Sequence, residues 1–168
     1  MNLKSFSNAL KKSELFGNPQ YGKEFDDIDS CSQDGLPTPK AAVLRTGDIV
    51  DNLTFEYDIH VAAHGAMGGS PRTLSLDKDE YFVKAEGTYG KFSNEILIRR
   101  ITLTTNKGKR ISGGYSTQAD IPFEYKVDEG YAICALFGRS NRYLNCIGFY
   151  SKKTDMDLKS SFLGGMMR

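Results

Sequence analysis

Three segments of the chain repeat one order of side chains: apolar, x, x, apolar, x, apolar. They are Val50-Asp51-Asn52-Leu53-Thr54-Phe55, Ile98-Arg99-Arg100-Ile101-Thr102-Leu103 and Leu144-Asn145-Cys146-Ile147-Gly148-Phe149. Their spacing of about 47 residues marks a threefold internal repeat. Each is preceded by another strand-like run that ends near glycine, over 42–47, 81–90 and 131–138, so each repeat is read as containing a hairpin. Leu53, Phe55 and Tyr57 alternate with Thr54 and Glu56, which predicts a strand with one buried face. Turns are expected at Asn106-Lys107-Gly108, at Ser112-Gly113-Gly114 and at Asp128-Glu129-Gly130. No long helix is predicted in the middle of the chain. A threefold β repeat fits a short propeller, a trefoil or three sheets packed as a prism, and periodicity alone does not choose among them.

Composition agrees with an all-β chain. The 168 residues include 17 glycines, nine tyrosines and ten phenylalanines but no tryptophan, as expected where aromatic residues pack on pleated faces and glycine serves turns. The length suits one domain with a core of its own. A net charge of +1 supplies no global field toward nucleic acid or anionic lipid. No apolar run is long enough for membrane insertion or for a secretory leader, so a cytoplasmic location is the default expectation, or an extracellular one if a leader is missing from the sequence. Three cysteines, Cys31, Cys134 and Cys146, are an odd count that argues against a complete disulfide framework. Cys134 and Cys146 could still face each other across a hairpin.

Several ordered motifs carry a family resemblance. Gly22-Lys23-Glu24-Phe25-Asp26-Asp27, Arg45-Thr46-Gly47-Asp48-Ile49-Val50-Asp51, His64-Gly65-Ala66-Met67-Gly68-Gly69-Ser70-Pro71, Thr104-Thr105-Asn106-Lys107, Phe137-Gly138-Arg139-Ser140 and Ile147-Gly148-Phe149-Tyr150 resemble, in this order, the jacalin-related lectins of mannose-binding type. The resemblance covers residues 16–151. It implies a β-prism of three four-stranded Greek-key sheets with pseudo-threefold symmetry, flanked by an N-terminal extension over 1–15 and a C-terminal tail over 152–168. Leu3, Phe6 and Leu10 have helical spacing, and both ends are expected to pack peripherally or fray.

The resemblance also implies a function: carbohydrate binding, with mannose- or glucose-type glycans as partners and neither cofactor, metal nor catalysis. In that family a Gly-x-x-x-Asp loop faces a glycine-rich loop. An Asp carboxylate accepts charge-assisted hydrogen bonds from sugar hydroxyls, and glycines let the opposing backbone come close. In the last repeat Asn141-Arg142-Tyr143-Leu144-Asn145 departs from the pattern, losing the glycine and the carboxylate, although Gly22 remains opposite. The first repeat keeps the full form, Gly47-Asp48-Ile49-Val50-Asp51, with Gly68 and Gly69 as the facing loop. Gly47, Asp48, Ile49, Val50, Asp51, Gly68 and Gly69 are therefore the main candidates, and Gly22, Asn141, Arg142, Tyr143 and Asn145 form the secondary set. The middle repeat has Ile96 and Arg99 at the matching places and is expected to bear no site.

Other readings compete. His60-Val61-Ala62-Ala63-His64 suggests a zinc pair, but it lacks the general-base Glu of the helical motif; on a strand the two rings would share a face. Lys107, Lys109 and Arg110, with Arg99-Arg100, could make a local phosphate or sulfated-glycan patch. Nothing marks Cys134 or Cys146 as activated nucleophiles. The main alternative is a β-prism whose sugar sites have decayed and which serves as a protein-interaction or structural module. Weak single sites would favour a homo-oligomer, because avidity needs several of them.

Overall fold

A computed structural model describes residues 10–31 and 35–154. Leu3 and Phe6, and most of the expected tail, lie outside the described residues. Thirteen strands and one short helix follow in order: β1 Leu10–Lys12, β2 Phe16–Gly17, β3 Lys23–Asp26, α1 Asp27–Cys31, β4 Ala41–Thr46, β5 Val50–Glu56, β6 Val61–Gly65, β7 Ser70–Ser75, β8 Phe82–Phe92, β9 Glu95–Thr105, β10 Arg110–Gly114, β11 Ile121–Lys126, β12 Tyr131–Ser140 and β13 Leu144–Lys153.

The strands form three Greek keys. Sheet one runs β6-β5-β4-β7. Sheet two runs β10-β9-β8-β11, the same order one repeat later. Sheet three is completed from both ends of the chain: the β12–β13 hairpin takes β1 and β2 on the β13 side and β3 on the β12 side. The fourth place of this sheet is thus divided between two short strands. A single pairing, Ile133 with Phe82, joins sheets two and three into one hydrogen-bonded surface. This is the three-sheet prism, with Leu10–Lys12 paired to β13 ahead of residue 16 and β13 running on through Lys153.

The nine apolar positions of the repeat make the centre. Val50, Leu53, Phe55, Ile98, Ile101, Leu103, Leu144, Ile147 and Phe149 are each fully buried in one cluster. At about 25 cal/mol per Å² of apolar surface removed from water, each such side chain stabilises the fold by roughly 1.5–3 kcal/mol. The expectation of one wet face per strand fails for the central strands, because β5, β12 and β13 are buried on nearly all positions. On sheet three the reason is a second cluster, in which Leu10 and Ile28 pack over Cys134, Ala135, Phe137 and Tyr150.

Two further expectations are corrected. Ser112-Gly113-Gly114 is not a turn but the end of β10, paired with Thr102, Ile101 and Arg100. Glycine is needed there for close approach, since a Cβ on Gly114 would meet the Arg99 carbonyl oxygen at 2.0 Å and one on Gly113 the Thr46 hydroxyl at 2.3 Å. Cys134 and Cys146 do not face each other: Cys146 pairs with Arg139, while Cys134 sits at an irregularity between Ile133 and Ala135. Both thiols are free and buried, and burial pushes them up to about 12 and about 11.

Candidate functional site

The doubled x in the repeat is a β-bulge. In sheet one Arg45 pairs with Asn52 and Thr46 with Val50, so Asp51 is the extra residue. Sheet two skips Arg99 between Thr88–Arg100 and Tyr89–Ile98, and sheet three skips Asn145 between Arg139–Cys146 and Ser140–Leu144. A bulge re-aims one side chain out of the alternation. In each repeat the re-aimed residue turns toward the loop joining that sheet's third and fourth strands.

In the first repeat that loop holds Gly68 and Gly69. A Cβ on Gly68 would lie 2.5 Å from Asp51 Oδ1, and one on Gly69 would lie 2.6 Å from Asp51 Oδ2. Only glycine leaves room for the carboxylate. Gly69 also has φ +70°, and its absent Cβ would strike the Thr46 carbonyl carbon at 2.6 Å. Arg45 pins the loop: its Nε donates to the Gly68 carbonyl (3.1 Å), and its Nη2 donates to those of Met67 (3.0 Å) and Gly69 (3.1 Å). Asp51 is 7% exposed, and burial raises its pKa above the usual aspartate range. The Arg45 guanidinium and the N–H groups of Asp51 and Gly47 pull partly the other way.

The remaining first-repeat candidates divide by role. Asp48 is exposed beside the bulge. Ile49 and Val50 bury their side chains in the core, so only their backbone can address a ligand. Gly47 has open space where a Cβ would stand and no positive φ. Its replacement by Asn141 in the last repeat is therefore sterically harmless: the Gly47 N–H donates to Ile49 O at 3.1 Å, and Asn141 N–H to Tyr143 O at 3.0 Å.

These geometries predict different outcomes for three alanine substitutions. Gly47→Ala should change stability by less than about 0.5 kcal/mol. Gly68→Ala should act on the Asp51 carboxylate alone, lowering ligand affinity with little change in folding. Gly69→Ala should do both, costing roughly 1–2 kcal/mol through its backbone conformation and the Thr46 contact. Urea unfolding beside a sugar titration separates the three.

The last repeat keeps the frame and loses the charge. Asn145 is 3% exposed, and a Cβ on Gly22 would meet its Oδ1 at 2.7 Å. That Oδ1 has no hydrogen-bond partner among the described residues. Arg139 matches Arg45, its Nη1 donating to the Gly22 carbonyl at 2.9 Å. Arg142 is exposed and Tyr143 half-buried. Tyr21, 62% exposed, lines a groove with Gln20, Tyr89, Asn94, Glu95 and Ile96.

In the middle repeat the polarity is inverted. Arg99 occupies the bulge, donates to the carbonyls of Tyr115 and Lys91, and comes within 3.9 Å of Asp120 from the facing loop. Thr88, at the place of Arg45, bonds Ser116 at 2.8 Å instead. The space a carboxylate takes in the first repeat holds a paired guanidinium.

Residue-by-residue reading missed Arg45 and Arg139. Their signal was positional, each standing six residues before its bulge residue. The histidines do not form a pair: His60 precedes β6 and lies over Tyr57, whereas His64 Nε2 is buried 2.7 Å from Asp27 Oδ1. Among the described residues no group of three or more His, Cys, Asp or Glu is placed to hold a metal ion. Lys107 and Lys109 spend their charge on Asp77, and Lys109 also on Glu80. No helix among the described residues is long and apolar enough to cross a membrane.

Residues 13–150 match the family model described as a jacalin-like lectin domain. The chain belongs to the jacalin-like lectin family. Horcolin from Hordeum vulgare subsp. vulgare is 32% identical over 128 residues, 70% of this chain and 86% of that protein. A galactose-specific lectin from Morus indica is 32% identical over 102 residues, 60% of this chain and 62% of its own length. A mannose-binding jacalin-related lectin from Ananas comosus superposes with a TM-score of 0.71 at 26% identity, covering 86% of this chain and 99% of the other. This jacalin-like lectin is thus a carbohydrate-binding β-prism of a non-catalytic family.

Proposed function

We propose that the lectin binds mannose- or glucose-type sugars in the first repeat, with Asp51 and Asp48 accepting sugar hydroxyls and the Gly68-Gly69 backbone opposite. The observation that carries this reading is the fit of Asp51's two oxygens against the empty Cβ positions of two successive glycines. A carboxylate so placed accepts two charge-assisted hydrogen bonds from neighbouring hydroxyls, while Arg45 keeps the loop from closing over it. The mannose-binding relative from Ananas comosus supports the sugar class, and the galactose-specific one from Morus indica sets the comparison. Titration with methyl mannoside, methyl glucoside and methyl galactoside tests it. Saturable binding of the first two over the third is expected; preference for galactoside, or no binding by any, overturns the reading, the latter in favour of an interaction module with decayed sites.

Acid should weaken the site early. Burial raises the Asp51 pKa, so the folded state holds this proton more tightly than the unfolded chain does. Its ionisation therefore costs stability as pH rises from the unfolded to the raised folded value. The ligand needs the ionised form. Mannoside affinity should thus fall on acidification at a pH above the ordinary aspartate range, while the unliganded fold does not lose stability from this group there. Parallel pH series of titration and thermal unfolding give the two signs.

A further inference from the structure

Sheet one meets sheet two at a cleft lined by Arg72 of β7 and Arg100 of β9, with Thr46, Gly47, Ser70 and Ser112. Arg72 Nη1 donates to the Ser112 carbonyl at 2.6 Å, which ties β7 to β10 and fixes one edge of that guanidinium. Among the described residues neither arginine makes an ion pair. Of the other cations named in the basic patch, Arg99 faces Asp120, and Lys107 and Lys109 face Asp77, while Arg110, exposed at the start of β10, does not line the cleft. Arg100 also borders Glu86 and Glu124 on the outer face of sheet two, but both carboxylates lie within 4 Å of Lys84 Nζ. Two guanidiniums thus share a cleft whose lining contains no carboxylate.

We propose that this cleft is a subsite for the sulfate ester of an acidic glycan whose neutral sugar occupies the Asp51 site. Planar guanidinium forks bind sulfate oxygens in pairs, and the Ser70 hydroxyl adds a donor. A glycan is the source because the two sites are contiguous. Gly47 belongs both to the cleft and to the 47–51 loop, and Ser70 follows Gly69 directly. A sugar held at Asp51 therefore presents its neighbour to the arginines. The inference rests on the first-repeat reading above.

The test uses the full chain with methyl mannoside, dextran, dextran sulfate of matched length and inorganic sulfate. Dextran sulfate should bind about tenfold tighter than dextran at low salt, and the gain should shrink with added salt. R72Q or R100Q should remove the gain and leave methyl mannoside binding unchanged. K126Q, which removes one exposed charge from β11, should retain it, and D51A should lose dextran sulfate and mannoside alike. A gain that survives both arginine variants, or that K126Q reduces equally, overturns the subsite. So does dextran sulfate binding that D51A leaves intact, which would mark a free anion site. If mannoside and dextran bind to no form, the first-repeat reading has failed; an arginine-dependent response to inorganic sulfate then identifies an ion site alone.

Discussion

Asp51→Ala should abolish detectable mannoside binding, and Asn145→Ala should leave it within about twofold. The asymmetry follows from what each bulge residue can offer. Hydrogen bonds to a charged acceptor contribute about 1.5–3 kcal/mol each, and a shallow sugar site of millimolar affinity has only about 4 kcal/mol in total. Losing two of them leaves nothing to measure. Asn145 offers a neutral amide whose Oδ1 is buried with no hydrogen-bond partner among the described residues, so its removal takes away little. Stability should move in the opposite sense to function: burial disfavours the Asp51 carboxylate, so Asp51→Ala should unfold at a urea midpoint no lower than the parent's. A calorimetric titration with a urea curve on each variant decides the matter. Binding lost in Asn145→Ala and kept in Asp51→Ala would move the site to the last repeat.

The repeat that first constrained the chain also marks the candidate site, through a break in its period. A strand alternates with period two, so an apolar pair three residues apart cannot share a face unless one residue is extra. Val50 and Leu53, Ile98 and Ile101, and Leu144 and Ile147 all reach the same core because Asp51, Arg99 and Asn145 are those extra residues. The core was therefore legible from side-chain type, and the bulge from a single break in period. The roles of the glycines were less legible. Gly47 and Gly69 look alike in a motif, yet Gly47 stands in open space while Gly69 has a positive φ and a carboxylate against it. That difference depends on a facing loop brought up by the Greek key, and local sequence does not encode it.

The closing of sheet three was harder to see. β1 and β2 have three and two residues, too few for any alternation, and they exist because β13 offers an edge from Cys146 to Lys152. Lys12 lies over the rings of Phe137 and Tyr150, so a residue that reads as an extension packs on the sheet. Tertiary pairing here overrides a weak local signal.

Asp27→Ala should cost about 3 kcal/mol of folding stability, the largest loss expected from one polar side chain in this lectin. Asp27 opens α1 and is 1% exposed. Its Oδ2 accepts from the Tyr57 hydroxyl at 2.5 Å, and its Oδ1 lies 2.7 Å from His64 Nε2. One carboxylate from the amino-terminal segment thus satisfies buried groups on β6 and just past β5, in sheet one. Its neighbours reinforce the joint: Phe25 stacks on the His64 ring at 3.5 Å between centroids, and Asp26 accepts from the Tyr150 hydroxyl at 2.6 Å. Alanine leaves a phenol and an imidazole buried without their acceptor, and a buried polar group stripped of its partner bears its full desolvation cost. Asp27→Asn should recover part of the loss, because the amide oxygen still accepts from Tyr57 and the NH₂ can meet a neutral His64 nitrogen. Urea midpoints in the order parent, Asp27→Asn, Asp27→Ala are expected, with mannoside affinity of the folded protein nearly unchanged. If Asp27→Ala unfolds at the parent's midpoint, the contact does not fasten sheet three to sheet one, and the prism is held there by Phe25 and the apolar core alone.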